Sequence, residues 1–253
     1  RMELYGTDAG LPSLLFNGLT FGNRGRLWVS TNAGLAVSHV SLGDASVNQS
    51  IRFVRRLGKV SLSQSLDSSR PLMFENAVWL LEKDAMRLVR YSALNDDEIS
   101  ERVYSLGREE NRPFSTFVEG AKGYVILGAD REIAQLNIET GEVTALPCPD
   151  SCGAVGELHT TAQGKAVVQF RDGRTLIAPH WGALDEAKLL AQLEWTERSS
   201  RFYNEGDEMY HTGARGLSIF DSDSVLQQTL PSSSLRTTLI SGLTIDREGN
   251  LWT

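Results

Sequence analysis

This sequence is short of most of what reactive or membrane-spanning proteins are built from. Its two cysteines, Cys148 and Cys152, stand in one loop with no His or second Cys pair nearby, too few soft ligands for a zinc site. They read either as a disulfide-closed loop, which requires an oxidising compartment, or as two free thiols. No apolar stretch approaches the roughly 18 residues of a membrane span. Basic charge is equally thin: 25 Lys and Arg are scattered against 32 Asp and Glu, a net charge of −7 that argues against nucleic acid and anionic membrane surfaces as partners. The histidines, His39, His159, His180 and His211, never form a closely spaced pair, and there is no Gly-x-Ser-x-Gly elbow or His-Glu-x-x-His helix. The residues therefore assemble no nucleophile and no metal site, and no cofactor is expected.

What the chain does have is internal repetition. Gly18-Leu-Thr-Phe-Gly-Asn-Arg-Gly-Arg-Leu-Trp28 returns at the other end as Gly242-Leu-Thr-Ile-Asp-Arg-Glu-Gly-Asn-Leu-Trp252. Between them the same plan recurs in fainter form: an apolar strand, a polar turn and a second apolar strand. The turns fall near Gly25, Asn76, Gly123, Gly164, Gly206 and Gly249, at spacings of 51, 47, 41, 42 and 43 residues. Those spacings bracket the roughly 40–50 residues of a four-stranded propeller blade. The expectation is an all-β propeller, a single domain over residues 1–253, with about five blades and part of a sixth. A chain that starts inside a strand and stops at Trp252-Thr253 predicts a fragment of a larger propeller.

Strand by strand, blade one is expected on Gly18–Phe21, Arg26–Thr31, Leu35–Val40 and Ile51–Arg56, with Arg1–Tyr5 as an outer strand completing the last blade. Blade two falls on Pro71–Glu75, Ala77–Leu81, Met86–Tyr91 and Arg102–Leu106, without a glycine in its first turn. Blade three takes Phe114–Glu119, Tyr124–Leu127, Glu132–Ile138 and Val143–Leu146, with a hairpin turn at Glu139–Glu142. Blade four takes Glu157–Thr161, Ala166–Phe170, Arg174–Pro179 and a last strand near Leu190–Trp195. Helical composition and spacing in Leu184–Gln192 predict a short helical insertion before that last strand. Blade five uses Ser200–Asn204, Glu208–Thr212, Leu217–Asp221 and Val225–Leu230.

Leu11-Pro-Ser followed by Gly25-Arg-Leu-Trp-Val-Ser-Thr-Asn-Ala-Gly-Leu35 resembles the two-component regulator propeller repeat. Asp246-Arg-Glu-Gly-Asn-Leu-Trp252 matches that repeat fully, and Gly22–Trp28 matches with Gly in place of Asp. Blade five keeps Gly213-Ala-Arg-Gly-Leu217, while blades two to four match only in outline. The motif itself is structural: the acidic or amide residue caps the turn, Gly takes its left-handed position and Trp wedges between blades.

The resemblance implies the periplasmic sensor region of a bacterial membrane receptor of histidine kinase or diguanylate cyclase type. It implies a non-catalytic propeller that binds a ligand or a partner, a homodimer through the full receptor, and membrane attachment only through segments outside this chain.

In such a fold the loops joining second and third strands gather at one mouth of the channel. On the register above they carry Asn32, Lys83 with Asp84, Asp130 with Arg131, Arg171 with Asp172, and His211 with Arg215. Paired acids and bases at equivalent turns could bind a small molecule or an oligosaccharide, a carboxylate or a phosphate, through bidentate Arg contacts. Ordinary solvated turns are the plainer reading. Some propellers with similar Gly-Asn-Leu-Trp turns are lyases of cyclic antibiotics that use His and a magnesium ion, and His211 is the candidate for that role. A third reading is a pure protein-interaction propeller, with Trp181 and Trp195 either as exposed anchors or as cover for the insertion.

Overall fold

The computed structural model describes residues 6–14, 16–22, 25–31, 34–39, 51–56, 71–82, 86–93, 99–107, 113–148, 152–193, 201–213, 216–235, 244–245 and 251–252. They form five four-stranded antiparallel sheets, each a simple meander, and one two-stranded ribbon. The fold is an all-β propeller of four-stranded blades. The chain divides into two compact units, Arg1–Pro113 and Phe114–Thr253.

The first unit holds two blades. Blade one is β1 (Phe16–Phe21), β2 (Leu27–Thr31), β3 (Gly34–Ser38) and β4 (Phe53–Arg56); blade two is β5 (Leu72–Phe74), β6 (Ala77–Glu82), β7 (Arg87–Ala93) and β8 (Ile99–Ser105). β2, β3 and β6 are buried along nearly their whole length, because both faces of these middle strands are covered. Trp28, Leu35 and Val37 of blade one pack on Val78, Leu80, Val89 and Tyr91 of blade two. The Trp of the repeat is thus the expected wedge, its ring 6.0 Å from that of Tyr91. Blade two does without a glycine in its first turn because Glu75 and Asn76 take positive φ, 47° and 58°, the pair of left-handed residues a tight hairpin requires.

The second unit holds three blades and the ribbon. Blade three is β9 (Thr116–Glu119), β10 (Tyr124–Ala129), β11 (Glu132–Asn137) and β12 (Val143–Ala145). Blade four is β13 (Val155–Thr160), β14 (Ala166–Phe170), β15 (Arg174–Ala178) and β16 (Lys188–Gln192). Blade five is β17 (Arg201–Glu205), β18 (Glu208–Gly213), β19 (Gly216–Phe220) and β20 (Leu226–Pro231), and β21 (Thr244–Ile245) pairs with β22 (Leu251–Trp252). Ile126 and Ile133 of blade three pack against Leu158, Val168 and Phe170 of blade four. Val167 of blade four meets Phe202, Met209 and Phe220 of blade five. Side-chain bonds tie the first strands together: Thr160 Oγ1 donates to the Glu119 carbonyl at 2.7 Å and Asn204 Nδ2 to the Thr160 carbonyl at 2.9 Å.

The helical insertion over 184–192 is corrected. A 3₁₀ helix covers Trp181–Glu186, its first turn capped by His180 Nδ1, which accepts from the Gly182 N–H at 3.1 Å. Lys188–Gln192 is the outer strand of blade four, hydrogen-bonded along β15. The local propensity for helix loses because β15 would otherwise present an unpaired edge, while Trp181 and Leu184 bury their side chains in the core between blades three and four. Trp181 is therefore cover, with its indole N–H donating to Thr160 Oγ1 at 3.0 Å. Arg1–Tyr5 and Trp195 lie outside the described residues.

Candidate functional site

Two tight turns of the second unit carry four of the expected site residues. Asp130 and Arg131 form the β10–β11 turn, Arg131 at a φ of 57°, and Arg171 and Asp172 open the β14–β15 turn. Both turns close on one segment, the end of the loop from β12 to β13. The Arg131 N–H donates to the Gly153 carbonyl at 3.1 Å, the Arg171 N–H to the Ala154 carbonyl at 2.8 Å, and Asp130 forms an antiparallel bridge with Ala154. Successive blades thus bring an exposed acid and an exposed base each to the same edge of this unit.

Arg174 organises the second turn. Its Nε donates to Asp172 Oδ2 at 2.8 Å and the Arg174 N–H to Asp172 Oδ1 at 3.0 Å, while the guanidinium lies over Phe170, 5.2 Å from the ring centroid. These bonds hold the Asp172 carboxyl below its ordinary pKa, with the Arg174 side chain the largest cause. Asp172 is half exposed, so water screens the pair and its worth is positional rather than energetic. A side chain at Gly153 would press on the Arg174 guanidinium, its Cβ only 3.2 Å from a terminal nitrogen.

The same loop carries Cys148 and Cys152, which are joined in a disulfide. Of the two readings the sequence left open, the oxidised one holds. Both cysteines are half-buried against the core between blades three and four.

His211 is elsewhere. It lies within β18, inside the strand expected over Glu208–Thr212 and not in the turn that follows, and is 2% exposed. Its Nε2 is 3.2 Å from Gln169 Nε2 of blade four, and its ring lies 4.6 Å from that of Phe202. Burial pushes its pKa down to about 4, so the neutral imidazole accepts from the Gln169 amide. His159 also stacks on Phe202, at 5.5 Å, and bonds Asn204 Oδ1 at 2.8 Å; burial pushes it to about 4 also, the Asn204 bond opposing. Asn32, Lys83, Asp84 and Arg215 lie outside the described residues. His39 and His180 are structural, His39 Nδ1 accepting the Arg52 N–H at 3.1 Å.

Two groups escaped the sequence reading. Gln169 is fully buried with its Oε1 unpartnered, and Glu82 of the first unit is buried against Arg87 at 2.8 Å, its pKa raised by desolvation. Each was visible as the one polar letter in an apolar middle strand, Ala166-Val-Val-Gln-Phe170 and Ala77-Val-Trp-Leu-Leu-Glu82. Among the described residues no three His, Cys, Asp or Glu side chains converge as metal ligands.

No protein-family model and no curated protein matches this chain. Solved structures do. The extracellular domain assigned to a hybrid two-component system of B. thetaiotaomicron is similar over 99% of this chain and 33% of that one, at 17% identity and a TM-score of 0.65. PorZ, a surface component of the type-IX secretion system of Porphyromonas gingivalis, is similar over 90% of this chain and 29% of that one, at 13% identity and a TM-score of 0.62. A streptogramin B lyase is similar over 96% of this chain and 91% of that one, at 14% identity and a TM-score of 0.54. At these identities the likeness shows the β-propeller fold. This chain spans about a third of the length of the two-component-system domain.

Proposed function

We propose that this chain is a non-catalytic, extracytoplasmic sensing propeller of a bacterial transmembrane signalling receptor, binding a ligand or a partner at the edge that carries Asp130, Arg131, Arg171 and Asp172. The observation that carries the reading is the docking of both charged turns on one disulfide-closed loop. Support comes from two further sides. A disulfide persists in an oxidising compartment, and a two-component-system extracellular domain is similar along nearly the whole chain. Among the described residues no helix is long and apolar enough to cross a membrane; on this reading the anchor and the output lie in other segments of the receptor. Binding transmits a signal only through differential affinity for two receptor states, and a homodimer supplies two such arrangements.

Arginines in two turns on one edge favour a ligand with a carboxylate or phosphate, small molecule or oligosaccharide. Calorimetric titration of the protein with uronic-acid disaccharides, sugar phosphates and their neutral counterparts tests this. Charged hydrogen bonds contribute about 1.5–3 kcal/mol each, so Arg131→Ala and Arg171→Ala are each expected to weaken an anionic sugar at least about tenfold. Unchanged affinity in the double variant would overturn this site.

The second reading, a lyase, is favoured by the match to a streptogramin B lyase over most of both chains. Against it stands the position of His211, closed between Gln169 and Phe202. Mass spectrometry of a streptogramin B incubated with the protein and magnesium separates the two: a ring-opened product that disappears in His211→Ala would replace sensing with catalysis.

A further inference from the structure

We propose that the Cys148–Cys152 disulfide is a thiol-exchange site, open to a dithiol reductant while the blades stay folded, and that its reduction loosens the Asp130–Arg131 and Arg171–Asp172 turns. Its regulatory meaning rests on the reading of those turns as the sensing edge.

Three observations carry it. The bridge joins residues only four apart in sequence, and the constraint a crosslink places on the unfolded chain grows with loop length. Cutting so short a loop therefore removes little of what holds a three-blade unit together. The fold rests instead on the apolar packing of Ile126, Leu158, Val168 and Phe170 between blades. Second, the cysteines pack only partly against that core, and partly exposed bridges are the ones thiolates reach. Third, Cys152 is followed at once by Gly153 and Ala154, the carbonyls of which accept the Arg131 and Arg171 N–H groups. The carbonyls that anchor the two turns thus lie one and two residues along the chain from Cys152.

The exchange balances without a further reagent. A thiolate of the dithiol attacks one sulfur of the bridge, breaking its S–S bond and forming a mixed disulfide; the other cysteine leaves as thiolate and takes a proton. The second thiol of the reductant then closes on the first, releasing the remaining cysteine as a thiol. The protein gains two electrons and two protons, and the dithiol leaves as a disulfide.

The test uses the folded protein in mixtures of reduced and oxidised dithiothreitol, without denaturant. Alkylation and mass spectrometry read the thiol content, a thermal melt reads the fold, and hydrogen exchange reads peptides spanning the two turns. The expected result is full reduction with the cooperative melt retained and at least about tenfold faster exchange at the Arg131 and Arg171 amides. A Cys148→Ser/Cys152→Ser double variant is expected to show the same exchange without reductant. Unchanged protection in the reduced protein and in the double variant would overturn the proposal. So would a bridge that is reduced only where the melt is lost. None of these readouts involves a ligand, so a failure to find one would count against the sensing reading and leave this result standing.

Discussion

Replacing Trp79 by Ala is expected to destabilise the first unit by about 3–5 kcal/mol, the range for emptying a large aromatic site in a core. Trp79 is fully buried in the middle strand of blade two. Its ring stacks on Phe74 at 4.8 Å with planes 2° apart, on Tyr104 at 5.7 Å, and under the Arg90 guanidinium at 5.6 Å. Its indole N–H donates to the Phe74 carbonyl at 3.3 Å. The alanine variant therefore leaves a cavity between two aromatic rings and takes a donor from the β5–β6 hairpin. Trp79→Phe keeps most of the packing and loses the donor, so a smaller loss is expected, about 1–2 kcal/mol. Urea unfolding of both variants checks the order. Equal losses would mean that the hydrogen bond, not the stack, holds the hairpin, and a loss below about 1 kcal/mol for the alanine variant would refute the account.

Acidification is expected to weaken the second unit through His211. The imidazole is neutral in the fold, its pKa pushed down to about 4 from 6.5 by burial. Unfolded chains take up the proton first, so stability is full above pH 6.5, falls as the pH falls, and has lost the whole contribution below about pH 4. At 1.36 kcal/mol per pH unit this comes to roughly 3 kcal/mol. The group facing the ring from blade four is Gln169; from its own blade Phe202 and Ser218 are its cross-strand neighbours, and His159 of blade four stacks on the same Phe202. None is an acid that could stabilise the imidazolium; the Glu157 carboxylate, on the strand opposite Gln169, is engaged by Arg201 at 3.4 Å. His159 shifts in the same direction. Stability measured by urea unfolding between pH 4 and 7.5 is expected to fall less steeply in His211→Gln than in the unsubstituted protein. Parallel curves would show that His211 does not titrate with unfolding.

Gln169 shares in this. Its amide makes one bond to His211 and leaves Oε1 without a partner, a cost that an apolar residue there would avoid. The polar pair nonetheless fixes where β14 and β18 meet, since a one-residue slip of either strand would turn its own group to the other face of its sheet and break the pair.

The positions of the blade strands were legible in the amino-acid order because the signals are local. Apolar runs such as Tyr124–Leu127 and Ala166–Phe170, and turns with glycine or Asn76, mark a strand and its end within ten residues or so of chain. The repeat added what propensity lacks, a period. The outer strand of blade four was expected near Leu190–Trp195 and begins earlier, at Lys188, because an edge strand carries no local mark of where it starts. Its pairing with β15 is a long-range bond that outweighs helical spacing. His211 was grouped with the mouth turn although it falls inside the strand expected over Glu208–Thr212; only the packing of blade four on blade five shows its ring turned to Gln169 and Phe202. The charges of Asp130, Arg131, Arg171 and Asp172 could be read letter by letter. Their meeting on Gly153 and Ala154, and the closure of Cys148 on Cys152, could not. Contacts between blades form only once whole sheets have packed, and no short stretch of sequence contains both partners.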